Sequence, residues 1–188
     1  MSRVGEIVES STKGFAARSP RIGQSPSFGC FVKTDSKPVV YGLVYEIITE
    51  SRDPGRKPDP YGKSIEELKR EQPEIFELLK TEFRALTIAY SEKESIRFSL
   101  PPIPPHIHYF VYECTREEVE LLSSEDFFLR TIISSPNVPV DDLIISSLRY
   151  AQDARQFDKG YLVRMGKSLA RFFKDDYERL SSVLRRLA

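Results

Sequence analysis

The sequence predicts an α+β protein in which a small N-terminal β-barrel is followed by an all-helical C-terminal domain. Residues 4–49 are rich in Val, Ile, Tyr and Phe and are divided by Gly and Pro, a composition typical of short strands and turns. After Cys114 the apolar residues recur at helical spacing instead. The 188 residues suffice for two small domains. We therefore predict a barrel domain over residues 1–114 and a helical domain over residues 115–188.

The first predicted strands cover residues 4–9, 30–33 and 39–49. The third is apolar at both alternating positions, which is typical of a strand buried on both faces. One face would fill the interior of a barrel, and the other would be covered from outside. Gly42 lies in the middle of this strand, where glycine normally weakens pairing, and it indicates a bend, a bulge or the close approach of another backbone. The alternative is that Gly42 only faces a bulky neighbour in a flat sheet.

A short helical insertion is predicted at about residues 64–82, after a polar loop rich in Pro and Gly. Ser64 and Glu67 have the spacing of a capping box, which opens a helix. A second short helix is expected over residues 73–81, because its first residue is a proline. These short helices interrupt the predicted barrel domain.

Two more strands are predicted after the insertion, over residues 83–90 and 107–114. The sequence LPPIPP at 100–105 separates them, and it is too rich in proline for the interior of a sheet. We expect this segment to be extended.

The helical domain begins with a second capping box, formed by Thr115 and Glu118. Apolar residues then recur every three or four positions, as on the buried face of a helix. The predicted helices cover residues 116–123, 126–134, 141–156 and 159–187, the last with a break near 174–176.

Charge and cysteine content exclude several classes of function. The chain has 28 basic and 28 acidic residues, and this balance gives no overall attraction to nucleic acid or to anionic membranes. Every apolar run is far shorter than the roughly 20 residues of a membrane helix, and the first ten residues do not resemble a signal peptide. Cys30 and Cys114 do not have the spacing of a metal or redox site. These features favour a cytoplasmic protein.

The stretch at 160–168 resembles a phosphate-binding P-loop, but five residues separate its glycines where that motif has four. Leu162, Met165 and Leu169 also place the stretch on an amphipathic helix, whereas a P-loop must remain a loop. We therefore do not predict a nucleotide site.

His106 and His108 would share one face of an extended segment, as two metal ligands do, yet a metal site needs three or four ligands. No catalytic, cofactor-binding or metal-binding residue is predicted.

One positive feature lies on the last predicted helix, where four basic residues fall on one face: Arg164, Lys167, Arg171 and Lys174. We call these four residues the basic stripe. It is the predicted interaction face, because such a face can bind phosphates or an acidic partner. A simpler interpretation is that it is a solvated face, paired with the acidic residues of 66–82 in the same chain.

Aromatic side chains of the predicted strands could also contribute to nucleic-acid binding, because bases stack on exposed aromatic side chains that lie beside cations. Four tyrosines are candidates: Tyr41, Tyr45, Tyr109 and Tyr112. Their alternation with aliphatic residues more simply places them in the packing of the barrel.

Three N-terminal stretches together resemble a known family. GEIVESSTKGFAARS at 5–19, FGCFVK at 28–33 and VVYGLVYEI at 39–47 are similar to the HAS barrel. This small β-barrel is named for HerA-type DNA-translocating ATPases and ATP synthase catalytic-type subunits, in which it lies at the N-terminus. The closer resemblance is to stand-alone HAS-barrel proteins of cyanobacterial type, through residues 71–85, 100–115 and 174–180.

The resemblance implies a barrel that packs in a ring or docks a partner protein. It does not imply ATP hydrolysis, because helices stand where the ATPases have their motor domain. We therefore expect a non-enzymatic, cytoplasmic assembly or adaptor protein without a cofactor, which uses the barrel for protein–protein association or self-association. The alternative is a nucleic-acid-binding accessory protein that uses the basic stripe.

Overall fold

The computed structural model describes residues 3–53, 55–93 and 95–187. Its fold is α+β, with antiparallel strands in the first part of the chain and helices in the second, as predicted. The strands are β1 (Arg3–Ser11), β2 (Gly14–Arg18), β3 (Phe31–Thr34), β4 (Val40–Ser51), β5 (Leu79–Glu92), β6 (Ser95–Arg97) and β7 (Phe110–Glu113). The α-helices are α1 (Ile65–Glu71), α2 (Arg116–Leu122), α3 (Phe127–Ile133), α4 (Val140–Ala154), α5 (Lys159–Phe172) and α6 (Tyr177–Leu187), and Pro73–Leu78 forms a 3-10 helix.

The strands pair in the order β2-β1-β7-β3-β4-β5-β6. In addition, β2 pairs with β5, so that Gly14 lies opposite Leu86 and Arg18 lies opposite Glu82. Six strands thereby form a closed ring of antiparallel pairs, while the structure does not form a clear barrel. Strand β6 lies outside the ring and extends it from β5.

Two hydrophobic clusters cover the two faces of this sheet. All six strands of the ring contribute to the first cluster, which contains Ile7, Phe15, Ala17, Cys30, Val32, Val40, Val44, Phe83, Ala85 and Val111. Phe31 and Leu43 belong to a second cluster, together with residues of helices α2 to α6. Because neighbouring residues of a strand point to opposite faces, Phe31 and Val32 show that the sheet is buried on both sides.

Strand β4 fits the prediction of two-sided burial only in its first part. Residues 40–44 are buried, whereas Ile47 is 39% exposed, so the prediction was wrong for the end of this strand. At Gly42 the register with β5 shifts, and an added Cβ would lie 3.1 Å from both the Ala85 side chain and the Leu86 carbonyl oxygen. The predicted close approach of another backbone is therefore present, but the extra residue at this register shift is Ile88 of β5, so the predicted bulge is not in β4 at Gly42.

Other strand boundaries differ from the predictions. The helix expected over 73–81 ends at Leu78, because residues 79–81 continue the long pairing of β5 with β4. The strand expected over 107–114 begins only at Phe110. Strands β2 and β6 were not predicted at all.

The helices follow the predictions to within a few residues, including the break between α5 and α6. Helix α4 lies at their centre and contacts α2, α3, α5 and α6. It also touches the turn that leads into β3: an added Cβ on Gly29, whose φ is +82°, would lie 2.5 Å from the Ser146 side chain. Tyr150 of the same helix packs against both clusters. Helix α4 therefore joins the helical layer to the sheet. None of the helices in the described residues is long and apolar enough to cross a membrane.

Candidate functional site

The β4–β5 hairpin carries residues 52–78 at its tip, and we call this segment the arm. The hairpin pairing ends with Ser51 opposite Leu79. At that end the backbone N–H of Arg52 donates to the Leu78 carbonyl, 2.8 Å away, and the Arg52 guanidinium donates to the Leu79 carbonyl at 3.1 Å. These bonds fix both ends of the arm to the last rung of the sheet.

Local hydrogen bonds define the conformation of the arm. The predicted capping box of α1 is formed: Ser64 Oγ accepts from the backbone N–H of Glu67 at 3.2 Å, and the Glu67 carboxylate accepts from the backbone N–H of Ser64 at 2.8 Å. The bond to the Ser64 backbone lowers the pKa of Glu67. Lys63 lies 2.6 Å from the Glu71 carboxylate and lowers the pKa of that group in the same way.

The arm has defined structure but no core. Among its described residues none is buried, and neither α1 nor the following 3-10 helix contributes a buried side chain. Ile65 is 59% exposed, Leu78 is 57% exposed and Tyr61 is 47% exposed. A seven-residue helix is marginal in water unless an apolar face packs against another surface. The arm therefore offers apolar side chains, presented on short helices, that the described residues do not cover.

The basic stripe lies at the surface of the helical layer. All four of its residues are exposed, but Lys174 follows the end of α5 instead of lying on it. Arg171 pairs with Asp126 at 2.9 Å, and Lys174 lies 3.9 Å from Asp175. The pairing with acidic residues of 66–82 that the sequence suggested does not occur among the described residues. The nearest acidic partner comes from the start of α3 instead.

The P-loop-like stretch at 160–168 lies within α5, as its apolar spacing indicated. Asp158 caps this helix, because its carboxylate accepts from the backbone N–H of Gly160 at 2.8 Å. The N–H groups that a P-loop would direct at a phosphate are therefore part of a helix and its cap.

His106 and His108 do not lie in one extended segment as predicted, because the chain turns at residues 107–108. His108 has a φ of +74°, and its Nδ1 lies 2.8 Å from the Glu6 carboxylate. Within the part of the chain that the structure describes, no group of three His, Cys, Asp or Glu side chains is placed to bind a metal.

The two cysteines are free thiols. Burial raises the pKa of Cys30 to about 12 and also raises the pKa of Cys114. Both groups are therefore protonated at neutral pH, and neither is an activated nucleophile.

The tyrosines that were candidates for base stacking divide into two groups. Tyr41 is only 8% exposed and belongs to the second cluster, and Tyr45 packs against the same cluster, as the packing interpretation predicted. Tyr109 is 37% exposed, and Tyr112 is half-buried on β7. Of the four candidates, Tyr109 and Tyr112 therefore lie on a different layer from the basic stripe, whereas Phe127, Phe157 and Tyr177 are exposed in the helical part of the chain.

A scan against protein-family models and a search of curated proteins found no match to this sequence. The resemblance to the HAS barrel therefore remains a prediction from the sequence stretches alone. The sequence did predict the helices of the arm, but it did not predict the exposure of Ile65 and Leu78. The spacing of a short amphipathic helix does not show whether a partner surface exists in the same chain.

Proposed function

We propose that this chain is a non-enzymatic assembly or adaptor protein, which uses its HAS-like barrel for protein–protein association or self-association. The arm carries this proposal. It is joined to the barrel by the longest pair of strands, it has a defined conformation, and its apolar residues Ile65 and Leu78 are more than half exposed. Packing these side chains against a protein surface would supply the burial that the arm lacks in the isolated chain.

The proposed location is the cytoplasm. Cys30 and Cys114 are separate free thiols, which is the usual state of cysteine in a reducing compartment. The barrel would provide a rigid base, since its strands are buried on both faces, and the arm would provide the contact.

Light scattering on a size-exclusion column tests self-association, and an affinity pull-down from source lysate tests association with other proteins. The informative variant is the double substitution Ile65→Asp and Leu78→Asp, which places charge in the apolar surface of the arm. The matched control is Val163→Asp with Tyr177→Asp, because these residues are 58% and 77% exposed on the helical layer. The wild type and the control should give the same complex, and the arm variant should lose it. A monomer that captures nothing, or an arm variant that behaves like the wild type, would overturn the proposal.

Nucleic-acid binding through the basic stripe is the alternative function. It is supported by the exposure of Arg164 and Lys167 on α5, for which the described residues provide no ion pair. It is weakened by Asp126, which pairs with Arg171 on the same face. Binding of labelled DNA and RNA at two salt concentrations distinguishes the two functions. A steep loss of affinity with salt, reduced further by Arg164→Gln with Lys167→Gln, would favour this alternative.

A further inference from the structure

A second surface of the molecule lies between the sheet and the helical layer, where an open cleft has a cavity volume of about 560 Å³. One wall is the β1–β2 hairpin, another is the part of β5 at residues 84–88, and the third is α3 with the loop at residues 134–138. Clefts of about 300–1,000 Å³ between packed units commonly bind small molecules. The size and position of this cleft are therefore those of a ligand site.

The floor of the cleft is mainly apolar. Its apolar lining consists of Phe15, Tyr45, Leu86, Ile88, Leu100 and Val138. Hydroxyl groups surround this floor, among them those of Ser10, Thr131 and Ser134. Such a lining suits a molecule with an aromatic or aliphatic body.

The charged residues of the lining favour an anion. Three are basic, Lys13, Arg84 and Arg130, and one is acidic, Glu9. Arg84 is already paired, since its guanidinium lies 3.5 Å from Glu9 and 3.3 Å from Glu46.

The other two cations differ from Arg84. Within the described residues, neither Lys13 nor Arg130 forms an ion pair, and both are exposed at the edge of the cleft. The Arg130 guanidinium lies 5.5 Å from the centre of the Phe172 ring of α5, a contact that does not neutralise its charge. Lys13 comes from the β1–β2 hairpin and Arg130 from α3, so the two cations belong to different walls.

We propose that this cleft binds a small amphipathic organic anion, with its apolar body on the floor and its acidic group between Lys13 and Arg130. The inference does not depend on the association proposed for the arm. An acidic group there would be attracted by both cations, and a neutral molecule of the same shape lacks this attraction.

Two fluorescent probes with the same anilinonaphthalene body test this proposal. The first, 8-anilinonaphthalene-1-sulfonate, is an anion, and the second, N-phenyl-1-naphthylamine, is neutral. In fluorescence titrations of the full chain, the anionic probe should bind saturably at one site. The neutral probe should bind about tenfold more weakly, because it cannot contact the two cations.

Three variants locate the site. Lys13→Gln with Arg130→Gln should weaken binding of the anionic probe about tenfold and leave the neutral probe unchanged. Lys37→Gln with Arg164→Gln, which removes one exposed lysine and one exposed arginine outside the cleft, should change neither probe. Ser134→Trp places a bulky side chain at an exposed position of the cleft wall and should weaken both probes.

Equal affinity for the two probes would overturn the proposal. So would a control variant that weakens the anionic probe as much as the cleft variant does, or binding of several probe molecules that Ser134→Trp leaves unchanged. The arm variant Ile65→Asp with Leu78→Asp should retain full affinity for the anionic probe, so the cleft and the arm are tested separately.

Discussion

The two ends of the β4–β5 hairpin differ sharply although one pair of strands connects them. At its base, residues such as Val44 and Leu43 are fully buried on opposite faces of the sheet. At its tip, the arm has no buried residue among those described, yet it contains hydrogen-bonded helices. The base is therefore held by burial of apolar surface and the tip by local hydrogen bonds. The same substitution should have very different effects at the two ends.

The largest expected difference comes from removing a leucine at each end. Leu43→Ala should lower the free energy of unfolding by about 2–5 kcal/mol, because Leu43 is fully buried in the second cluster. Leu78→Ala should change it by less than about 0.5 kcal/mol, because Leu78 is 57% exposed. Denaturant unfolding curves measure both values. Similar losses for the two variants would show that the arm is part of the cooperative core.

A second contrast uses the glycines. Gly42→Val should cost about 1–3 kcal/mol, since even the added Cβ would lie 3.1 Å from Ala85 and from the Leu86 carbonyl oxygen. Gly55→Val in the arm should leave stability nearly unchanged, because among the described residues its Cβ would meet Asp53 alone, at 3.5 Å. The same unfolding curves apply. A stable Gly42→Val variant would mean that the close approach of β5 at residue 42 is not needed to close the ring of strands.

Glu82 of β5 should make a smaller, pH-dependent contribution. Burial raises its pKa, but bonds from Arg18 and Lys80 lower it by more, so the pKa in the folded protein is lower than usual. Ionised Glu82 therefore stabilises the folded protein at pH 7. This stabilisation is lost as the pH falls below about 4.5, the usual pKa of the group, and then through its lower pKa in the folded protein. At pH 7, Glu82→Gln should cost less than about 1 kcal/mol, because solvent screens part of this interaction.

The control for Glu82 is Glu67→Gln in the arm, whose carboxylate is also bonded but fully exposed. Unfolding curves at pH 7 and at pH 3 should show the difference between wild type and Glu82→Gln shrinking in acid. A difference that is equal at both pH values would show that charge does not cause it. Glu67→Gln should leave the unfolding midpoint unchanged at either pH.

The smallest expected effect on overall stability comes from Ser64→Ala, which removes the cap of α1. The cap stabilises the helix by about 1 kcal/mol locally, but global unfolding should not change if the arm opens independently of the barrel. Hydrogen exchange should be faster at the backbone N–H of Leu68, which donates to the Ser64 carbonyl, and unchanged in β4 and β5. If Ser64→Ala lowered hydrogen-exchange protection equally in the arm and in the strands, the two regions would unfold as one cooperative unit.

Local sequence rules predicted the parts of the fold that depend on local interactions. The capping boxes at Ser64 and Thr115 mark the true starts of α1 and α2, because their bonds join residues only three apart. Strand β2 was missed, since GFAAR contains neither a β-branched residue nor an alternating pattern. It is a strand because β1 and β5 supply partners on both sides.

The boundary at Leu79 was misplaced for a related reason. The pairing of Ser51 with Leu79 joins two positions on either side of the arm, and no local pattern reveals that register.

The candidate sites also depend on contacts between residues that are far apart in the sequence. Lys13 and Arg130 meet at one cleft although more than a hundred positions separate them in the chain, and their spacing in the sequence predicts nothing about that cleft.

The dependence of the sheet on helix α4 has a consequence for biosynthesis. Phe31, Leu43 and Leu86 lie on the outer face of the sheet and are covered by helices that follow it in the chain. At typical synthesis rates of about 5–20 residues per second, the strands leave the ribosome several seconds before α4 to α6 can cover them. During that interval the nascent sheet presents an uncovered apolar face. The outer face of the newly made strands is therefore completed only when these helices have been synthesised.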